Sequence, residues 1–386
     1  VRSRTWATIE LDAIGSNLAA LRSRIPEATL LMAVVKADAY GHGMVPVARA
    51  ALEAGATWLG VATADEALAL RSAEATASIL VLGPAGSEWL EALAEADCAI
   101  TIGDRASLDA VARRSAGPPL RVHVKVDTGM TRFGVAPHDL EGVLRVLADA
   151  RVIIEGVFTH LAAADDPEPA VTAAQLEAFD GVLAAVRRAA PRALCHAAAS
   201  AAVLAHPAAT LDMVRVGMAI YGVSPLAEPR PELVPAMTVR ARVARIASVG
   251  VGTPVSYGLT YRTSAPTCIA TIPIGYADGY PRALSNVGAM MVRGERVPVV
   301  GRVCMDYTML DVRDLAVQEG DEVIVLGGDL PVVDVAAMAG TSSYEIVARI
   351  GTRVPRLYLR GGEPVAWSTV SRSIEYLTRG VNEARA

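Results

Sequence analysis

The chain has 386 residues, with 36 Lys and Arg against 41 Asp and Glu, a formal charge of −5. A composition 52% hydrophobic and 20% charged excludes a disordered chain and supplies enough apolar surface for more than one domain at about 150 residues each. The mild negative balance offers no basic face to nucleic acid or to an anionic membrane. Although mean hydropathy is positive at +0.36, there is no uninterrupted apolar run of about 18 residues, the length a spanning helix needs. Val1–Trp6 contains no apolar signal core, so the expected compartment is the cytoplasm. Cys98, Cys195, Cys268 and Cys304 are far apart and read as free thiols. Neither they nor the six histidines fall in a zinc-ligand spacing, and no metal is expected.

In chain order, Thr5–Leu11 alternates like a strand and could serve either a first or a second domain. Strand-like runs follow at Leu31–Val35, Trp58–Ala62, Ser78–Leu82, Cys98–Thr101, Leu120–Val126, Val152–Phe158, Ala193–His196 and Leu211–Val216. Between them lie amphipathic segments such as Ala64–Arg71 and Glu88–Glu95, and Ser87 and Asp104 stand where helix caps belong. Strand and helix alternating some eight times predicts a parallel (β/α)8 barrel. An open doubly wound sheet would normally carry a G-x-G-x-x-G turn after its first strand, and none is present.

Prolines 225, 229, 231 and 235 then mark a connector. Beyond it, Met237–Ser248, Thr267–Ile274, Ala289–Val292, Val297–Val300, Tyr307–Val312 and Glu322–Leu326 read as strands of an all-β domain, and Pro331–Ser343 as a short helix turned at Gly340. The expected organisation is residues 1–11 as a strand, 12–233 as the barrel and 234–386 as the β domain.

In a barrel the active site gathers at the strand C-terminal ends. Lys36, Arg132, His160, Ser200 and Arg215 follow or end the first, fifth, sixth, seventh and eighth strands. Any one of them alone reads as a solvated strand end; five together point to one mouth. A lysine behind four apolar residues loses charge by desolvation and becomes an amine nucleophile toward an aldehyde. Pyridoxal phosphate is the cofactor such a lysine suggests. Ser200, Gly217 and Met218 fit the phosphate site that barrels build after their last strands.

The segment Ala33–Gly43 resembles the lysine motif of the pyridoxal-phosphate alanine racemases. Further segments match in order: Lys125–Arg132, Thr159-His160, Val214–Gly217, Val255–Gly258, Pro273–Gly279, Gly301–Asp306 and Arg353–Arg356. The resemblance implies a barrel plus β-domain subunit in a homodimer with shared sites, racemising alanine between its L and D forms for cell-wall precursors. It implies that Lys36 binds the cofactor and acts as one acid/base, and that Tyr257 of the partner subunit is the other. Arg215 would meet the pyridine nitrogen, with His160 linking it to Tyr257. Arg132 would lie near the cofactor's phenolic oxygen, braced by a carbamylated Lys125. Tyr40, Ser200, Gly217, Met218 and Tyr344 would hold the phosphate. Arg132 and Met305 would meet the substrate carboxylate, and Asp165, Tyr276, Arg302 and Tyr344 would line the entrance.

Two positions depart from the family pattern. Ala199 stands before the phosphate-binding serine where Asn is usual, and Tyr307 follows Met305-Asp306 where Gln is frequent. They keep open a racemase for serine or another small amino acid. A barrel-type decarboxylase is a further alternative, but its His-x-Gly-Ser phosphate loop has no counterpart. A non-catalytic cofactor carrier would lack the β domain and Tyr257.

Overall fold

A computed structural model describes residues 3–73, 75–166, 170–369 and 372–376. The chain divides into two compact units. One comprises residues 14–39 and 44–234. The other comprises 1–13, 40–43 and 235–386.

The first unit is the barrel. With Thr5–Glu10 as β1, its strands are β2 (Leu30–Val34), β3 (Trp58–Val61), β4 (Ser78–Pro84), β5 (Cys98–Ile102), β6 (Leu120–Lys125), β7 (Val152–Phe158), β8 (Leu194–His196) and β9 (Met213–Val216). Each pairs in parallel with the next from β2 to β8, and β9 pairs with β2. Beside β8 and beyond its end, Asp212 N donates to Cys195 O and Arg215 N to Ala198 O, which closes the ring. All eight expected barrel strands are present.

Met32, Trp58, Leu80, Ala99 and Met213, from five strands, pack as one cluster. Burial of its methionine and leucine side chains is worth roughly 1.5–3 kcal/mol each. The barrel also holds a buried histidine, His123. A Cβ at Gly156 would lie 2.2 Å from the His123 ring, so only glycine leaves room for it on the neighbouring strand.

The helices follow their caps. Thr63 and Glu66 form a capping box at the start of Ala64–Ser72, and Asp104 accepts from Ser107 N ahead of Arg105–Ala112. Ser87 is not a cap. It is the first residue of a 3-10 turn, Ser87–Trp89, that leads into helix Leu90–Glu95, because the extended backbone position falls one residue earlier, at Gly86.

In the second unit β1 pairs antiparallel with β10 (Met237–Arg242) and parallel with Arg356–Arg360, inside an eight-stranded sheet. The early strand therefore serves the β-rich unit. Met237–Ser248 is not one strand. It breaks after Arg242, and Arg245–Val249 joins a separate three-stranded sheet with Thr267–Ile272 and Thr308–Asp311. Both halves read alike in sequence, since the alternation continues across the break. Helix Val332–Ala339 ends at Gly340 in the left-handed region (φ 67°), as glycine favours, and a second helix, Ser343–Ala348, follows. Among the described residues, no helix is long and apolar enough to cross a membrane.

Candidate active site

Lys36 follows β2 with Val35 between, and burial lowers its pKa, aided by the charge of Arg132 and opposed by Glu66. The next four residues, Ala37, Asp38, Ala39 and Tyr40, all have φ of 52–53°. Four successive non-glycine residues in the left-handed region are strained, and strain of this kind concentrates at functional sites. Glu66 accepts from Ala37 N at 2.6 Å and Asp38 from Met44 N at 2.8 Å, which hold the turn in place. The sequence signals this turn weakly: Asp38 tolerates positive φ and Gly41 continues it at 80°, but alanine and tyrosine have no preference for it.

Arg215, on β9, is 3% exposed. It donates through Nη1 to His196 Nδ1 (2.8 Å), and the two protons of Nη2 are shared among Thr159 O (2.8 Å), Ala197 O (2.9 Å) and His160 Nδ1 (3.1 Å). A guanidinium can only donate, so both imidazoles carry their proton on Nε2. His196 Nε2 then donates to His123 Nδ1 at 2.9 Å. The direction of the whole chain follows from its one obligate donor. His123 and His196 were not anticipated as site residues. Their signal was present but weak: each lies on a barrel strand, His123 two residues before Lys125 and His196 at the end of its own.

Burial and the neighbouring cations, Arg215 first, lower His160 to about 3, and burial together with His123 and Arg215 holds His196 well below its ordinary value. Burial and Arg132 lower Arg215 to about 9, so it remains charged near neutral pH.

Lys125, at the end of β6, is buried and donates to Phe133 O. Burial and Arg132 lower it to about 8. Arg132 itself is exposed, on a loop organised by Asp127, whose Oδ1 accepts from the amides of Gly129, Met130 and Thr131. Ser200 and Met218 are buried, and Ser200 Oγ accepts from Gly217 N at 2.9 Å. Helix Ser200–Ala205 starts without a side-chain cap, since Ala199 has no oxygen to offer. Asp165 is exposed on the loop after β7.

The remaining expected residues belong to the β-rich unit. Tyr40 and Tyr344 pack with ring centroids 6.3 Å apart, and burial raises the Tyr40 phenol. Tyr257 is 71% exposed and Met305 53%, with Tyr276, Arg302 and Tyr307 also exposed. The Met305 loop is held from behind: Tyr276 N and Ala277 N donate to Cys304 O and Met305 O, both at 3.0 Å, and Arg353 bridges Asp278 and Asp306. Among the described residues, no group of three His, Cys, Asp or Glu could hold a metal ion.

Residues 9–225 match the family model "Alanine racemase, N-terminal domain" and residues 236–358 match "Alanine racemase, C-terminal domain". The chain belongs to the alanine racemase family. An alanine racemase of Symbiobacterium thermophilum is 46% identical over 371 residues, covering 93% of this chain and 97% of the relative. Among solved structures, the alanine racemase of Bacillus anthracis with bound L-Ala-P superposes with a TM-score of 0.91 at 40% identity, covering 96% of this chain and 98% of that one. The alanine racemase of Bartonella henselae with covalently bound pyridoxal phosphate gives a TM-score of 0.84 at 31% identity, over 92% of this chain and 100% of that one. As a member of this family the chain is an amino-acid isomerase. The match spans both domains, and the serine-racemase and decarboxylase alternatives are not favoured.

Proposed function

We propose that this alanine racemase binds pyridoxal phosphate through Lys36 and moves the Cα proton of alanine between two bases, Lys36 on one face and Tyr257 of the partner subunit on the other. The observation that carries this reading is the charge arrangement at the barrel mouth. Beyond burial, the charge of Arg132 lowers Lys36, Lys125 and Arg215, and that of Arg215 also lowers Lys125, while Arg215's four acceptors are two neutral imidazoles and two carbonyls. Such a cluster suits a polyanion, and pyridoxal phosphate brings a phosphate and a phenolate to it. The cofactor's contribution, when bound, is to take up the electron pair left at Cα.

The residues fit the group. Lys36 supplies an amine made less basic by burial. Ser200, Gly217 and Met218, with Tyr40 and Tyr344, would hold the phosphate. Arg215, as an obligate donor, would leave the pyridine nitrogen without a proton of its own. Arg132 would bind near the phenolic oxygen and, with Met305, meet the substrate carboxylate. A carbamate on Lys125 would form when its neutral amine adds carbon dioxide and releases a proton. This would turn repulsion of Arg132 into attraction. Asp165, Tyr276, Arg302 and Tyr344 would line the entrance.

Tyr257 stands in a matched motif yet is largely exposed in the single chain, which suits a residue completed by a second copy. The test is deuterium uptake at Cα from heavy water, followed separately for L- and D-alanine. Lys36→Ala should lose the visible cofactor absorbance and turnover together. Tyr257→Phe should keep the absorbance and lose exchange from one enantiomer far more than from the other. Equal losses would refute the two-base assignment.

A further inference from the structure

Tyr257 opens a short turn, Tyr257–Leu259, that closes the two-stranded antiparallel ladder of Pro254–Val255 with Tyr261–Arg262. Ser256, Gly258 and Leu259 have φ of 64°, 70° and 52°, and Tyr257 is 71% exposed. Beyond that ladder, the turn is tied to the segment that leads to Met305. Ser256 Oγ donates to Arg302 O at 2.6 Å. A Cβ at Gly258 would lie 2.9 Å from the Arg302 guanidinium, and one at Gly301 would lie 2.7 Å from Ser256 Cβ. The two loops therefore lie against each other with glycine at both close approaches.

A third element closes this arrangement. Ser285 and Asn286 form a turn, Asn286 at φ 63°, a conformation asparagine tolerates. Asn286 Oδ1 accepts from Gly301 N at 2.6 Å, while Nδ2 donates to Thr260 Oγ1 at 3.1 Å. Ser285 Oγ accepts from Val303 N at 3.0 Å and donates to Arg282 O at 2.6 Å. One side chain thus bridges the Tyr257 loop at its far end and the Gly301–Met305 segment at its near end.

We propose that Asn286 is a positioning residue: its amide clamps the Tyr257 loop to the Gly301–Met305 segment and thereby fixes where the Tyr257 hydroxyl lies. This rests on the reading of Tyr257 as the second base. Misplacing a reacting group by about 1 Å costs on the order of a hundredfold in rate, so loosening this loop is expected to cost about tenfold. The informative variant is Asn286→Gly. Glycine keeps the left-handed backbone without strain and deletes both side-chain bonds.

Cα exchange of L- and D-alanine in heavy water is compared for wild type, Asn286→Gly, Tyr257→Phe and the double variant. Asn286→Gly should slow exchange of the same enantiomer that Tyr257→Phe slows, by about tenfold, with the Lys36 cofactor absorbance unchanged. It should add little to Tyr257→Phe in the double variant. Asn286→Asp, which still accepts from Gly301 N and can accept from the Thr260 hydroxyl, should restore most of the rate. Equal slowing of both enantiomers, or no slowing, alongside an asymmetric Tyr257→Phe, overturns the Asn286 role alone. A symmetric Tyr257→Phe overturns the base assignment and this role with it.

Discussion

His160→Asn tests the electrostatics of the barrel mouth without reference to turnover. Arg215 Nη2 lies 3.1 Å from His160 Nδ1, and a guanidinium cannot accept. His160 must therefore keep a lone pair on Nδ1 and stay neutral, and its pKa is accordingly lowered to about 3 by burial and by Arg215. In the unfolded chain a histidine titrates near its ordinary value of about 6.5. Below that pH the unfolded state binds a proton that the folded state does not. Stability is thus fully present above about 6.5 and falls as pH drops toward 3. Between pH 8 and pH 5 this one group removes about 2 kcal/mol.

Asparagine offers its Oδ1 to Arg215 and does not titrate. At pH 5.5 wild type should take up about 0.9 proton more on unfolding than His160→Asn. Proton uptake on mixing with concentrated urea in weak buffer measures this directly and does not require two-state unfolding. His123 and His196, also lowered by burial, contribute in the same direction to both proteins and cancel in the difference. Asp127 and Glu155, lowered by their hydrogen bonds and ion pairs, act in the acid range and cancel too. Equal uptake by the two proteins would mean that His160 is already protonated in the folded chain, which would refute the donor direction assigned to Arg215.

Mixing Lys36→Ala with Tyr257→Phe, each inactive alone, should restore activity to about a quarter of wild type or less, given that random pairing makes roughly half of the dimers hybrid and each hybrid keeps one intact site; no recovery after demonstrated subunit exchange would place Tyr257 in its own subunit's site. Gly275→Ala would put a Cβ 2.3 Å from Cys304 O and 2.4 Å from Met305 O. These are backbone atoms that cannot rotate away, so the Met305 loop should shift, lowering the melting temperature and weakening alanine binding (a higher KM); unchanged values of both would refute this account of the loop.

The sequence made the barrel legible because each strand is a short apolar run followed by a helix with its own period, and closure needs no other information. It also showed the break to a β-rich domain, through the prolines after residue 224. It could not place β1, because an alternating run of six residues fits either neighbour, and only the pairing with β10 and Arg356–Arg360 decides it. The residues expected at the barrel mouth were readable as strand ends. The left-handed turn after Lys36 was not, since three of its four residues are alanine or tyrosine and the glycine that shares its positive φ, Gly41, comes only after them. Asn286 was equally hidden: it belongs to none of the matched motifs and acts through two bonds to residues 15 and 26 positions away.

The buried histidines explain how an arginine can sit inside a barrel with its charge uncompensated. A carboxylate partner would neutralise Arg215 locally. Its acceptors are instead His196, His160 and two carbonyls, which satisfy the hydrogen bonds and leave the positive charge uncompensated. The nearest carboxylate in the chain of imidazoles is Glu155, 3.7 Å from His123 Nε2, and it is already bound through both oxygens to Arg121. Two neutral rings thus stand between Arg215 and that carboxylate. Burial makes protonating either ring unfavourable, and the charge of Arg215 makes it more so. The same residues that keep the guanidinium hydrogen-bonded therefore keep its field unscreened, which is the condition under which a nitrogen facing it stays an acceptor.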